Sequence, residues 1–173
     1  MASKTDITAD YVRSILDYDP ATGIFRWEHR TDIRACDNAR MVGKIAGSLD
    51  AKGYRRIIIN RRNYAAHRLA WLYVTGEWPT DEVDHKNLNK DDNRFKELRE
   101  ATTSDNGCNR RTRSDSGTQL RGIHLDKRYG RYVVKIQRHG KRIYLGTVST
   151  AKEATAIYAA AADKLHGEFK RLK

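Results

Sequence analysis

Residues 83–106 read VDHKNLNKDDNRFKELREATTSDN, and the rest of the chain takes its meaning from this stretch. It holds few apolar residues and many Asp, Asn, Lys and Arg, which is the opposite of a core-forming segment. Within it stand Val83-Asp84-His85, then Asp91-Asp92-Asn93-Arg94, then Leu98, then Ser104-Asp105-Asn106. Hydrolysis of a phosphodiester needs a base for the water. It also needs a cation to stabilise the leaving oxygen and the charge developing at phosphorus. An Asp beside a His serves both needs: the carboxylate is a hard oxygen ligand and the imidazole titrates near neutrality. Adjacent residues of a strand face opposite ways, so joint action on one substrate predicts a distorted strand here. An Asp-His pair alone is ordinarily two exposed polar residues. The Asn-Arg pair eight to nine residues later and the Ser-x-Asn after the strand-like Leu98-Arg99 set this one apart.

From about His67 to Arg111 the sequence resembles the HNH nuclease motif, in the form found in phage and intron-encoded homing endonucleases. The resemblance implies a ββα-metal fold, two short strands with a loop between them and then a helix. It implies His85 as general base, Asp84 as a metal ligand, and Asn106, in the first turn of the following helix, as the second protein ligand. Asn93 matches the central Asn of the motif, grouped with His85 as a catalytic residue that holds the loop and orients the site. Asn106 stands where other nucleases of this kind carry His. An amide oxygen is harder than imidazole, so a single Mg2+, with Mn2+ as the substitute, is expected rather than zinc. A structural zinc is not expected either, because Cys36 and Cys108 are far apart and there is no C-x-x-C. His67 reads as an interior histidine, and His29, His139 and His166 as solvated ones. Arg94, Arg99, Arg110 and Arg111 read as phosphate contacts, or else as exposed salt-bridged arginines.

Upstream, Thr8 caps a short helix with Tyr11, Val12, Ile15 and Leu16 on one side. Asp19 to Gly23 is a turn, and Ile24, Phe25 and Trp27 form a strand. Residues 28–41 read as polar and irregular. Val42 to Ser48 and Tyr54 to Asn60 read as a strand pair around Gly53, with Arg55, Arg56, Arg61 and Arg62 as possible DNA contacts. A helix is predicted over Ala66 to Thr75, stopped by Gly76.

Downstream, residues 113–119 are a polar linker. Gly122 to Leu125, Arg131 to Arg138 and Lys141 to Val148 read as three strands, with His139-Gly140 a tight turn. Thr150 with Glu153 forms a capping box for a helix. Alternation puts Tyr132, Val134, Ile136, Ile143 and Leu145 against that helix, and Arg131, Lys135, Gln137, Arg142 and Tyr144 on the other face. A basic, aromatic sheet face suits the major groove of DNA. The segments Arg121-Gly122-Ile123, Gly130-Arg131-Tyr132, Lys141 to Thr147 and Ala160 to Phe169 resemble the plant APETALA/ethylene-response-factor DNA-binding domain. That resemblance implies reading positions near His124, Arg131, Lys135, Gln137, Arg142 and Tyr144, with Arg121 at the edge. The sequence departs from the plant pattern at His124, Asp126, Lys135 and Tyr144, so no target sequence is carried over.

The chain of 173 residues has 34 Lys and Arg against 22 Asp and Glu, a net +12. Residues 1–112 hold 20 basic and 17 acidic residues, and residues 113–173 hold 14 and 5. That asymmetry points to a nucleic-acid-binding module on a near-neutral body. No apolar run approaches a membrane span or a signal-peptide core, so the expectation is a cytoplasmic protein with no membrane partner. The fold class expected is α+β. An HNH nuclease domain covers 1–112 (leader 1–65, motif core 66–111), followed by the linker 113–119. A three-stranded antiparallel sheet packed on one helix covers 120–173. The expected function is a metal-dependent, site-preferring endonuclease of double-stranded DNA, with one active site per chain and hence a nick. The competing expectation is a non-catalytic DNA-binding regulator that uses the C-terminal module.

Overall fold

The computed structural model describes residues 7–109, 118 and 120–169; Arg110, Arg111 and all of the predicted linker but residue 118 lie outside them. The chain divides into two compact units, Met1–Glu100 and Ala101–Lys173.

In the first unit, helix α1 (Ala9–Ile15) is capped by Thr8, whose hydroxyl accepts from the Tyr11 N–H. Leu16 belongs not to this helix but to strand β1 (Leu16–Asp19), which alternates buried and exposed and pairs antiparallel with β2 (Ile24–Trp27). Asp19 shapes the turn between them, accepting from the Ala21 N–H at 2.9 Å and the Thr22 hydroxyl at 2.7 Å. Helix α2 (Ala35–Met41) follows, where an irregular segment was expected. It has no apolar stripe. Its buried Asn38 instead accepts from the Arg30 N–H at 2.9 Å and donates to the Arg30 carbonyl.

Strands β3 (Ser48–Leu49), β4 (Arg55–Ile59) and β5 (Arg62–Ala65) form an antiparallel sheet in that order. A two-residue turn joins β4 to β5, with Asn60 and Arg61 both at positive φ. Helix α3 (Ala66–Thr75) ends at a left-handed Gly76, the bounds the sequence predicts. Then come β6 (Glu82–His85) and its partner β7 (Leu98–Ala101). Val12, Leu16, Phe25, Ile57, Ile59, Leu69 and Leu72, all fully buried, form the core of the unit, which Val83 and Leu98 join from β6 and β7.

In the second unit, helix α4 (Thr103–Asn109) precedes β8 (Ile123–Asp126), β9 (Arg131–Arg138) and β10 (Lys141–Val148). These three strands form an antiparallel sheet with β9 central. Helix α5 (Ala151–His166) begins at the predicted capping box, where the Thr150 hydroxyl accepts from the Glu153 N–H. Ile123, Val134 and Ile136 of the sheet are buried against Ala154, Tyr158 and Ala162 of α5. The alanines let the helix lie close to β9.

Two expectations fail here. Ile143 lies opposite Ile136 on the helix side of the sheet but is 40% exposed, because β10 is the edge strand and the helix covers the centre. His166 is buried rather than solvated, with Nε2 3.1 Å from the Gln137 carbonyl.

Gly122 sits at φ +67 where a Cβ would lie 2.2 Å from the Lys135 carbonyl oxygen and 2.4 Å from the Tyr158 ring. Gly122→Ala is therefore expected to cost about 3 kcal/mol or more, strain and overpacking combined. Urea denaturation of the full chain measures it. An unchanged midpoint would contradict this packing.

Candidate active site

β6 carries Asp84 and His85 at its end. Its alternation is intact, with Val83 and His85 buried and Asp84 on the other side, so the strand distortion predicted from sequence is not seen. His85 is 4% exposed. Its Nε2 lies 3.4 Å from Asn93 Oδ1, a long hydrogen bond between buried partners. The orientation of that amide is fixed independently. Asn93 Nδ2 donates to the Asp91 carbonyl at 3.1 Å, which can only accept. Oδ1 therefore faces His85, Nε2 carries the ring hydrogen, and the basic lone pair falls on Nδ1. Burial holds the His85 imidazole below its ordinary range, more than offsetting the raising effects of Asn93 and Asp84. At neutral pH it is the neutral form a general base requires.

The loop from Lys86 to Asn93 is braced at several points. Asp91 takes a two-point ion pair from Arg55 of β4, at 2.8 and 2.9 Å. Asp92 is held by Arg94, Nε to Oδ1 at 2.7 Å, and by Asn87 at 2.6 Å. These contacts, the Arg94 bond first, lower Asp92 to about 2. Arg55 and Arg94, read from sequence as DNA contacts, are thus engaged with carboxylates of the chain. Arg56 is likewise paired, with Asp50 at 3.0 Å.

Two further supports come from far upstream. The Tyr18 hydroxyl donates to the Asn93 carbonyl at 2.6 Å. Gly23, at φ +75, lies so close to the same loop that a Cβ would be 2.5 Å from the Asn93 carbonyl carbon and 2.4 Å from the Arg94 nitrogen. The sequence carries no local signal for either contact, since 75 residues separate Tyr18 from Asn93.

Asp84 Oδ2 accepts from Arg99 Nη2 at 2.9 Å and Nε at 3.3 Å. Arg99, expected to meet phosphates, is 9% exposed and paired with the Asp84 carboxylate. Around His85 stand two more rings. His67 lies edge-on to it at 5.1 Å between centroids, and Tyr54 at 6.1 Å. Burial, with smaller effects from the His85, Arg68 and Arg56 charges, pushes His67 down to about 3, in keeping with an interior histidine. Burial, then the Asp84 and Asp50 charges, pushes the Tyr54 phenol up.

In the second unit, α4 opens with a capping box the sequence reading passed over. The Thr102 hydroxyl accepts from the Asp105 N–H at 3.2 Å, and the Asp105 carboxylate accepts from the Thr102 N–H at 3.2 Å. Asn106 stands in the first turn of this helix, half-buried, its N–H bonded to the Thr102 carbonyl at 2.9 Å. Arg138 pairs with Asp105. Burial works against that carboxylate, but the Thr102 and Arg138 bonds hold it below its ordinary range.

The sheet brings together the predicted reading residues. His124, Lys135, Gln137, Arg142 and Tyr144 are all exposed, and the register places them with Arg131 on the face away from α5. A bulge at Leu145 follows Tyr144, whose hydroxyl lies 2.8 Å from that of Thr147. Arg121 instead donates to the Gly107 carbonyl.

Asp84 of the first unit carries a carboxylate and Asn106 of the second an amide oxygen, each taken by itself a donor of the kind hard divalent cations accept. Among the described residues no three His, Cys, Asp or Glu side chains converge on a possible metal position. Also among them, no helix is long and apolar enough to cross a membrane.

Residues 64–108, about a quarter of the chain, match the family model HNH_3, HNH endonuclease. The match runs from Tyr64 in β5 through α3, β6 and β7 into α4, and so contains Asp84, His85, Asn93 and Asn106. It supports an HNH nuclease domain in this stretch, and with it the general class of DNA-cleaving hydrolases. No curated protein and no solved structure matched the chain.

His67 supplies a pH test. A base whose folded pKa lies below its unfolded value of about 6.5 leaves the unfolded chain to bind the proton first. Its stabilising effect is complete above about pH 6.5 and is lost progressively as pH falls toward about 3. Denaturation midpoints should fall with pH over that window, and His67→Gln should flatten the slope. An equal slope in both proteins would contradict the assignment.

Proposed function

We propose that the chain is a metal-dependent, site-preferring endonuclease of the homing type that nicks double-stranded DNA. The observation that carries the reading is His85, buried, with Nε2 3.4 Å from Asn93 Oδ1, and next in the chain to Asp84. In this mechanism His85 Nδ1 takes a proton from the attacking water. Asn93 holds the ring so that the imidazolium formed stays in place. Asp84, with Asn106, would hold a divalent cation, Mg2+ by donor hardness. When bound, such a cation stabilises the departing 3′ oxygen and the charge on the phosphate. Arg99 pairs with the same Asp84 carboxylate.

Residues 120–173, by their similarity to the plant sheet-type module, would position the duplex through the basic face of β8 to β10. Residues 1–112 and the linker 113–119 complete the arrangement. A regulator without chemistry would have no use for the Asp84, His85 and Asn93 grouping, which favours the enzyme.

The test is a supercoiled plasmid library with Mg2+. Wild type should convert it to open circles, and His85→Ala should be slower by about 100-fold or more. Equal rates would contradict the role of His85. Separately, Arg142→Ala should weaken DNA binding and reduce the slope of log affinity against log salt by about 1. An unchanged slope would remove the sheet face from the interface.

A further inference from the structure

Tyr54, next to the first residue of β4, is not used by the proposed mechanism, yet it belongs to the wall around the base. Its ring centroid is 6.1 Å from that of His85 and 5.4 Å from that of His67. The residue is half-buried. Its backbone N–H bonds to Asp50 at 2.9 Å, but its hydroxyl has no hydrogen-bond partner among the described residues. Over its ring stands the Lys90 ammonium, 4.9 Å from the centroid and tethered by a 2.9 Å bond to the Lys52 carbonyl.

That hydroxyl is not among the buried polar atoms left without a partner, so it stands open to solvent or to a ligand, a donor that Phe would lack. By contrast, the other tyrosine of this neighbourhood, Tyr18, spends its hydroxyl on Asn93. The chemistry next to Tyr54 narrows what its hydroxyl could serve. Its ring lies beside that of His85, the base of the proposed mechanism, and a cation covers the ring face. An anionic group rich in oxygen acceptors satisfies both neighbours at once, and in a nuclease that group is a phosphate of the substrate.

We propose that the Tyr54 hydroxyl hydrogen-bonds a non-bridging oxygen of the phosphodiester being cleaved, with the Lys90 ammonium adding charge beside it. The inference rests on the nuclease reading. It makes Tyr54 a catalytic residue in the strict sense, a group that touches the reacting phosphate. The non-bridging oxygens gain negative charge in the transition state, so a donor aimed there contributes more to turnover than to binding.

The experiment compares wild type, His85→Ala, Tyr54→Phe and Lys90→Ala as full-length chains with Mg2+, on the plasmid wild type cleaves fastest. Tyr54→Phe removes one oxygen that has no partner within the described chain, so its thermal unfolding should match wild type. Its kcat should fall about 10- to 100-fold, with KM for DNA within about threefold. Lys90→Ala should mainly raise KM. A Tyr54→Phe rate equal to wild type, with His85→Ala inactive, overturns the Tyr54 inference and leaves the nuclease reading standing. A Tyr54→Phe defect that tracks a lowered unfolding temperature also overturns it, since the role is then structural. No cleavage by wild type overturns both.

Discussion

The first unit is organised around one hydrogen bond, between Asn93 Oδ1 and His85 Nε2. It decides which ring nitrogen is basic, and it would have the opposite meaning if the amide were turned over. The Asp91 carbonyl prevents that by taking the Asn93 amide N–H. The loop is held in turn by Arg55 on Asp91, Arg94 on Asp92 and Tyr18 on the Asn93 carbonyl. The exposed members of these pairs contribute little stability each. Their combined effect is geometric, since each closes one way in which the loop could drift. The hairpin of β1 and β2 thus serves the site without supplying a group to the chemistry, and the sheet of β3 to β5 braces the loop through Arg55.

Some of this was legible in the sequence. Helix α3 and strands β9 and β10 begin and end, and helix α5 begins, where periodicity, Gly76, the His139-Gly140 turn and the Thr150–Glu153 box put them. In each case a local rule and the burial pattern agree. Helix α2 was missed because side-chain bonds from Asn38 to the Arg30 backbone hold it, not an apolar stripe. Strand β5, reading Arg-Asn-Tyr-Ala, is set by its register with β4 through a turn of non-glycine residues. Leu16 was assigned to α1 because its apolar spacing suits a helix, whereas it is the first residue of β1.

The site divides in the same way. Asp84, His85 and Asn93 stand within ten residues and carry their chemistry in the sequence. Tyr18, Gly23 and Tyr54 act across the fold, and nothing near them in the chain announces it. Arginine proved the least readable residue. Arg55, Arg56, Arg94 and Arg99 all looked available to phosphates, and each is paired with a carboxylate. The exposed cations of the second unit follow the alternation of its strands more simply, because one face of the sheet is covered by α5 and the other is not. The charge asymmetry between the two ends of the chain is therefore partly a matter of pairing. Several arginines of the first unit are balanced by carboxylates, whereas Lys135 and Arg142 lie open on the sheet face.

The central claim is that the fold delivers His85 as a neutral base with its lone pair on Nδ1. The ring 15N resonances of His85, assigned by comparison with His85→Ala, test it most directly. The account predicts a protonated Nε2 and an unprotonated Nδ1 at neutral pH, with that preference weakened in Asn93→Ala. A His85 ring protonated at Nδ1 alone, or charged at neutral pH, would contradict it.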